Sequence, residues 1–367
     1  MSGIRCGIVG LPNVGKSTLF NALTSTAAAQ VGNFPFSTIE PNIGRVSVPD
    51  TRLVTLAAVS HAPKSVRNHI EFVDIAGLVK GASRGEGLGN RFLASIREVD
   101  AILHLVRCFE GGDVAHVDGA VDPLRDIETI ETELMLADLE SLERRTEATS
   151  KRAAGGDRQA AEILPLMHRA LEALAGGRPA RSVQLSGGEA RAFAMLQLLT
   201  SRPVLYVCNV DEDAMTDDHP LVREVERHAR SNGSCAVAIA ASLESELAVL
   251  PGRGEREAFL EELGLGEPGL NRIIRATHEM LGLITFFTTG PKEARAWSIT
   301  NGATAAQAAG TVHSDMERGF ICAETITHGD LVACGSEQDA RSRGLMRREG
   351  RNYRVMDGDV FCFRFNV

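Results

Sequence analysis

The chain has 367 residues, 44% of them hydrophobic and 24% charged, which is ordinary for a soluble globular protein and too long for one core. A net charge of −9 excludes indiscriminate adhesion to nucleic acid, so any RNA contact must be local and DNA is not an expected partner. No apolar run approaches a membrane span, and Met1 to Val9 enters a strand directly with one basic residue, so neither signal peptide nor membrane partner is expected and the location is cytoplasmic.

In chain order, Ile4 to Val9 reads as a short apolar strand and Lys16 to Leu23 as the opening of a helix. Between them lies Gly10-Leu-Pro-Asn-Val-Gly15-Lys16-Ser17-Thr18, the spacing of a phosphate-binding loop in the strand-to-helix context that such a loop needs. The loop residues Asn13, Val14, Gly15, Lys16, Ser17 and Thr18 are the expected phosphate cradle, with the helix dipole behind it. Lys16 would neutralise the transferring phosphate, and the Ser17 hydroxyl would take one position on Mg²⁺.

The stretch from Asn33 to Pro41, with its prolines and polar residues, suits a mobile loop, and its Thr38 would complete the metal shell. A second strand, His69 to Ile75, runs into Asp74-Ile-Ala-Gly77. Asp74 would hold Mg²⁺ through a water, and the Gly77 amide would bind the γ-phosphate. Leu78 follows where Ras-like GTPases carry the glutamine that orients the attacking water. An apolar side chain cannot do that job.

Ala101 to Phe109 is a third strand, apolar almost throughout, as in parallel sheets covered on both faces. The alternation of strand and helix predicts a doubly wound α/β sheet. From Ile127 to Thr200 the periodicity is helical only, with a turn at Gly155-Gly156-Asp157, so an antiparallel helical hairpin interrupts the nucleotide domain before the buried strand Pro203 to Asn209.

That strand ends in Asn209-Val210-Asp211-Glu212. A guanine-reading Asn-Lys-x-Asp motif is impossible here, because no lysine occurs between Lys151 and Lys292. Val210 removes the lysine packing, and Glu212 displaces the carboxylate by a methylene. The loss of base-specific hydrogen bonds weakens guanine selection and favours ATP over GTP. Leu185-Ser186-Gly-Gly-Glu189 imitates an ABC-ATPase signature, but Asp211 and Glu212 are set off from the apolar run, and Ser186 with Glu189 reads more simply as a helix capping box.

A helix near Leu270 to Leu283 precedes short strands at Ile284 to Thr288, Arg295 to Ile299 and Asp359 to Phe365, arranged around a helix from Thr304 to His313. These form a separate small α+β module. Within it, residues 341–354 hold six arginines and the single acid Glu349. Arginine forks suit phosphate, and Tyr353 could stack on an unpaired base, although a solvated charged helix fits the same run. The seven cysteines are scattered, with neither a disulfide framework nor a zinc spacing.

The stretches at 10–24, 33–42, 74–93 and 209–212 together resemble the YchF family of Obg-related P-loop proteins, and residues 293–326 are similar to that family's TGS domain. The resemblance spans essentially the whole chain. It implies an Obg-type G domain at 1–127 and 201–282, a helical coiled-coil insertion at 128–200 and a ubiquitin-like β-grasp TGS domain at 283–367. It further implies a Mg²⁺-dependent ATPase that associates with ribosomes, through rRNA or ribosomal proteins, in translation and stress responses. By the same resemblance Asn209, Val210 and Glu212 lie at the base, Asn13 lies beside a K⁺ ion, and His116 is catalytic, although a solvated loop histidine fits that position equally. An Obg-type GTPase, and an ATP-regulated binding module with incidental hydrolysis, are the alternatives.

Overall fold

The computed structural model describes residues 4–30, 42–75, 88–109, 121–215, 219–250 and 252–366. Among these, the strands in chain order are β1 (Ile4–Val9), β2 (Ile43–Ser47), β3 (Ser65–Val66), β4 (His69–Asp74), β5 (Ala101–Arg107), β6 (Val204–Asn209), β7 (Cys235–Ile239), β8 (Leu283–Thr289), β9 (Ala294–Thr300), β10 (Phe320–Thr327), β11 (Arg347–Glu349) and β12 (Asp359–Phe365). They form two six-stranded sheets. The chain divides into two compact units, one built from residues 4–46 and 71–273, the other from residues 47–70 and 274–367.

The first unit holds the sheet β2-β4-β1-β5-β6-β7, in which β1, β5, β6 and β7 run parallel. Every residue of β5 and β6 is buried, which is why those segments read as nearly continuous apolar runs: helices cover both faces of a parallel sheet. The expected doubly wound α/β architecture is therefore present.

The hairpin consists of helices Pro123–Ala154 and Arg158–Ala175. Each starts on an aspartate, Asp122 or Asp157, whose side chain accepts from the backbone N–H three residues on, at Arg125 and Ala160. Its apolar stripe buries Leu142, Leu166, Met167, Ala170 and Leu174 against Phe193 and Leu196. Asp138, itself buried, accepts from the Leu199 and Thr200 N–H groups, both at 2.8 Å, and from the Thr200 hydroxyl at 2.7 Å. That triple acceptance satisfies the chain's return toward β6, and burial raises the carboxyl pKa against those hydrogen bonds. The Tyr206 hydroxyl on β6 donates to Glu131 at 2.7 Å, and Glu131 also pairs with Arg181. The base of the hairpin is thus anchored to the central strands by a polar network within the core.

The capping box expected at Ser186 and Glu189 is half realised. Glu189 reaches back to accept from the Ser186 N–H at 2.8 Å, and the following helix is short, Glu189–Ala194. Arg169 at 3.0 Å completes the carboxylate's partners.

The second unit holds the sheet β11-β10-β12-β8-β9-β3. Neighbouring residues on its strands point to opposite faces. Phe286, Ala323 and Phe361 pack on helix Ala305–Val312, whereas Phe287, Ile326 and Val360 pack on Leu53, Leu56, Leu331 and Ala340. Thr304 caps the former helix with a full capping box to Gln307. Helices at Ser314–Arg318, His328–Cys334 and Glu337–Ser342 add to the expected single helix, and β10, absent from the sequence reading, pairs with both β11 and β12.

Residues 47–70 also differ from expectation. The sequence places them between two elements of the nucleotide domain, yet helix Arg52–Val59 buries Leu53 and Leu56 in the second unit, and β3 joins its sheet by pairing with β9. Arg52 bridges Asp50 at 2.8 Å and Asp357 at 2.6 Å while lying 5.3 Å from the centre of the Phe287 ring. All seven cysteines are free; Cys6, Cys108, Cys208 and Cys334 are buried, and Cys235 is exposed.

Candidate nucleotide-binding site

The loop after β1 is shaped by what its glycines leave out. A Cβ on Gly10 would lie 2.6 Å from the Leu105 carbonyl oxygen, so only glycine lets the loop pass this close to β5. Gly15 has φ +97°, and a Cβ there would lie 2.6 Å from Asn209 Nδ2. Asn13, at φ +65°, occupies the left-handed region that asparagine tolerates. Such alternation turns successive backbone N–H groups toward one concavity, the geometry of an anion nest. Val14 is buried beneath the loop, while Ser17 and Thr18 are exposed on the first turn of helix Lys16–Gln30.

Asn209, at the end of β6, clamps this loop. Its Nδ2 donates to the Val14 carbonyl at 3.0 Å, and its Oδ1 accepts from the Ala241 N–H at 3.0 Å, where helix Ala241–Val249 begins. Sequence reasoning placed Asn209 at the base end of the site and missed the clamp, because the contact joins segments 195 residues apart. Val210 next to it is buried, and Asp211 and Glu212 are exposed.

Lys16 Nζ donates to the carbonyls of Gly10 at 3.0 Å and Leu11 at 2.7 Å. Burial lowers its pKa and the nearby Asp74 carboxylate raises it. For Asp74 the causes are mirrored: burial raises its pKa, and the Lys16 charge lowers it. The backbone fixes this pairing of charges, since Asp74 N–H donates to Asn42 at 2.9 Å and Ile75 N–H to Ile8 at 3.2 Å, setting the end of β4 beside β1. An ammonium and a carboxylate half withdrawn from water beside an anion nest are groups whose chemistry suits a polyphosphate and a hard divalent cation.

Thr38, Gly77, Leu78 and His116 lie outside the described residues. Arg107, to which the sequence suggested no role, is buried at the end of β5, where it pairs in register with Asn209, and its guanidinium lies 4.3 Å from the centre of the Phe109 ring.

A parallel sheet whose first strand feeds a glycine-shaped loop and a helix N-terminus, with a carboxylate at the end of a neighbouring strand, defines a P-loop nucleoside triphosphatase. Residues 5–142 match the family model described as "50S ribosome-binding GTPase", and residues 283–366 match YchF-GTPase_C, described as "Protein of unknown function (DUF933)". The chain is 51% identical over 365 residues to the protein named "Ribosome-binding ATPase YchF" in Escherichia coli O157:H7, with 100% of each chain covered. It is 48% identical over 366 residues to the protein of that name in Bacillus subtilis, covering 99% of this chain and 100% of the relative. The solved structure of the Schizosaccharomyces pombe YchF GTPase superposes with a TM-score of 0.88 at 33% identity, covering 99% of this chain and 98% of that one. A GTP-binding protein from Pyrococcus horikoshii shares the fold, with a TM-score of 0.61 at 20% identity over 99% of this chain and 100% of that one. The chain belongs to the YchF family.

Proposed function

We propose that this chain is a ribosome-binding, Mg²⁺-dependent ATPase that hydrolyses ATP to ADP and phosphate and uses the cycle as a switch in translation. The observation that carries the reading is the loop of Gly10 to Ser17 clamped by Asn209 and faced by Lys16 and Asp74, in a chain similar along its whole length to proteins named ribosome-binding ATPases.

A triphosphate offers the Lys16 ammonium charged oxygens, stronger acceptors than the two carbonyls that it now contacts. Ser17, Thr38 and Asp74 are the residues that would hold Mg²⁺, whose chemistry is to neutralise charge on the β- and γ-phosphate oxygens. The Gly77 amide is assigned to the γ-phosphate. With Leu78 in place of a water-orienting side chain, His116 is the group that we assign to position the attacking water, and intrinsic turnover is correspondingly slow.

At the base, GTP has the names of the family model and the fission yeast structure in its favour. ATP is favoured by residues 209–212, where Val210 is a buried apolar residue and Glu212 is exposed. A monovalent-cation role for Asn13, which is exposed with a left-handed backbone, rests on the family resemblance, and turnover compared in potassium and sodium buffers tests it. Among the described residues no helix is long and apolar enough to cross a membrane; a cytoplasmic setting belongs to the same proposal. Co-sedimentation with ribosomes in the presence of ATP or ADP, alongside phosphate release, tests the reading as a whole.

A further inference from the structure

Strand β6 is tied to two different parts of the nucleotide unit. At its C-terminal end Asn209 clamps the phosphate loop through the Val14 carbonyl. Three residues earlier, Tyr206 is fully buried, and its hydroxyl donates to Glu131 on the first helix of the hairpin at 2.7 Å. Every residue between them is buried, and β6 is paired with β5 on one side and β7 on the other. A strand held on both edges and both faces shifts as a body, because close-packed interiors transmit strain.

The hairpin meets this region through two carboxylates on helix Pro123–Ala154, Glu131 and Asp138, which lie roughly two turns apart on one face. They are not equivalent. Asp138 is saturated by the Leu199 and Thr200 N–H groups and the Thr200 hydroxyl, whose oxygen in turn accepts from the Ala180 N–H at 3.0 Å. Glu131 is not. Its Oε1 accepts both from the Tyr206 hydroxyl and from Arg181 Nη2, while Arg181 Nε is buried with no hydrogen-bond partner among the described residues.

A buried guanidinium N–H left unmade is uncommon and costly. Arginine prefers to meet a carboxylate through two parallel N–H···O bonds, and Tyr206 holds the Glu131 carboxylate short of that fork. The joint therefore has two arrangements, one with Glu131 shared between tyrosine and arginine and one with Glu131 given over to Arg181. Coupling between distant sites requires an element of this kind and not mere proximity.

We propose that Tyr206 is a positioning residue through which the hairpin and the phosphate loop sense one another. Glu131 shared with Tyr206 seats the hairpin on β6 and keeps Asn209 on the loop; Glu131 withdrawn to Arg181 unseats the hairpin base and slackens the clamp. Anything that displaces the hairpin then weakens nucleotide binding, and by linkage nucleotide occupancy steadies the hairpin base to the same extent. The proposal rests on the nucleotide-binding reading of the loop and makes the hairpin its regulator.

The test uses the full-length protein, unsubstituted and as Tyr206→Phe, Asn209→Ala and the two combined, which closes a thermodynamic cycle. Tyr206→Phe removes only the hydroxyl, since the ring keeps its packing against His104 and His228, with centroids 5.7 Å and 5.6 Å away. ATP affinity is measured by titration with Mg²⁺, and amide hydrogen exchange over residues 123–135 is followed with and without a non-hydrolysable ATP analogue. Tyr206→Phe should weaken ATP binding about fivefold, but by less than about twofold once Asn209 is alanine, because it acts through that clamp. Nucleotide should slow exchange at the hairpin base of the unsubstituted protein, and that response should vanish in Tyr206→Phe. A merely structural tyrosine would lower the unfolding midpoint while leaving the cycle additive and the exchange response intact, and either of those last two results overturns the proposal. If the unsubstituted protein binds ATP while its hairpin exchange is unmoved, the coupling is wrong and the nucleotide-binding reading stands; if it binds no nucleotide, both fall.

Discussion

Asn209 Nδ2 donates to the Val14 carbonyl at 3.0 Å, so the tip of the central strand β6 holds the phosphate loop in place. In the same side chain, Oδ1 accepts from Ala241 at the start of the following helix. Asn209 is therefore a brace between three segments.

Replacing it tests the brace. Asn209→Ala leaves the Val14 carbonyl and the Ala241 N–H without their partner in a buried place, at a cost of about 1–3 kcal/mol. Isothermal titration should show nucleotide affinity reduced by about tenfold to a hundredfold for ATP and ADP alike, with a lowered midpoint of thermal unfolding. Unaltered affinity for both nucleotides would mean that the loop holds its shape without the clamp.

Lys16→Ala and His116→Ala separate binding from chemistry. Removing Lys16 should weaken ATP affinity and abolish turnover. His116→Ala should lower kcat with ATP affinity nearly unchanged, the pattern of an interaction made chiefly in the transition state. If ribosome association responds to ATP normally in His116→Ala and fails only in Lys16→Ala, nucleotide binding alone is the signal and hydrolysis resets it. Unchanged kcat in His116→Ala would remove the histidine from the chemistry.

A pH dependence follows from His104, which is buried on β5 beside Tyr206, with ring centroids 5.7 Å apart. Burial, with Arg181 and His228 adding to it and Glu131 opposing, pushes its pKa down from 6.5 to about 4. The unfolded chain therefore binds a proton that the folded one refuses between those values, and stability rises with pH across that window. The contribution is fully present above pH 6.5 and is lost by about 3 kcal/mol as pH falls to 4. Denaturant titrations over pH 4–7 should show a smaller loss in His104→Gln than in the unsubstituted protein. Parallel pH profiles would place the acid sensitivity elsewhere.

The sequence made the nucleotide half legible because local patterns there coincide with function. The glycine spacing dictates the loop, the nearly continuous apolar runs of β5 and β6 identify buried parallel strands, and Asp74 ends its strand. The turn of the hairpin was equally plain, since Asp157 and its two preceding glycines punctuate a long helical period, whereas the first helix begins at Pro123, ahead of the Ile127 read from the periodicity. What escaped was non-local. Nothing in the composition of Arg52-Leu-Val-Thr-Leu says that Leu53 and Leu56 bury against Phe287 and Val360, more than 200 residues onward. Strand β10 was missed because it has no regular alternation: Ile321 and Thr327 are exposed at its two ends, and the four residues Ala323 to Ile326, with Glu324 among them, are all buried. Tyr353 looked like a ligand platform because sequence cannot reveal that its hydroxyl is already taken by Asp359.

The measurement that bears most directly on the central claim is a paired titration of the full-length protein with ATP and GTP in the presence of Mg²⁺, followed by phosphate release from each. Tighter binding of ATP and preferential hydrolysis of ATP are expected from Val210 and Glu212 standing where a guanine-reading lysine and aspartate would be needed. Equal or tighter binding of GTP, with GTP hydrolysed at least as fast, would contradict the assignment of this chain as an ATPase.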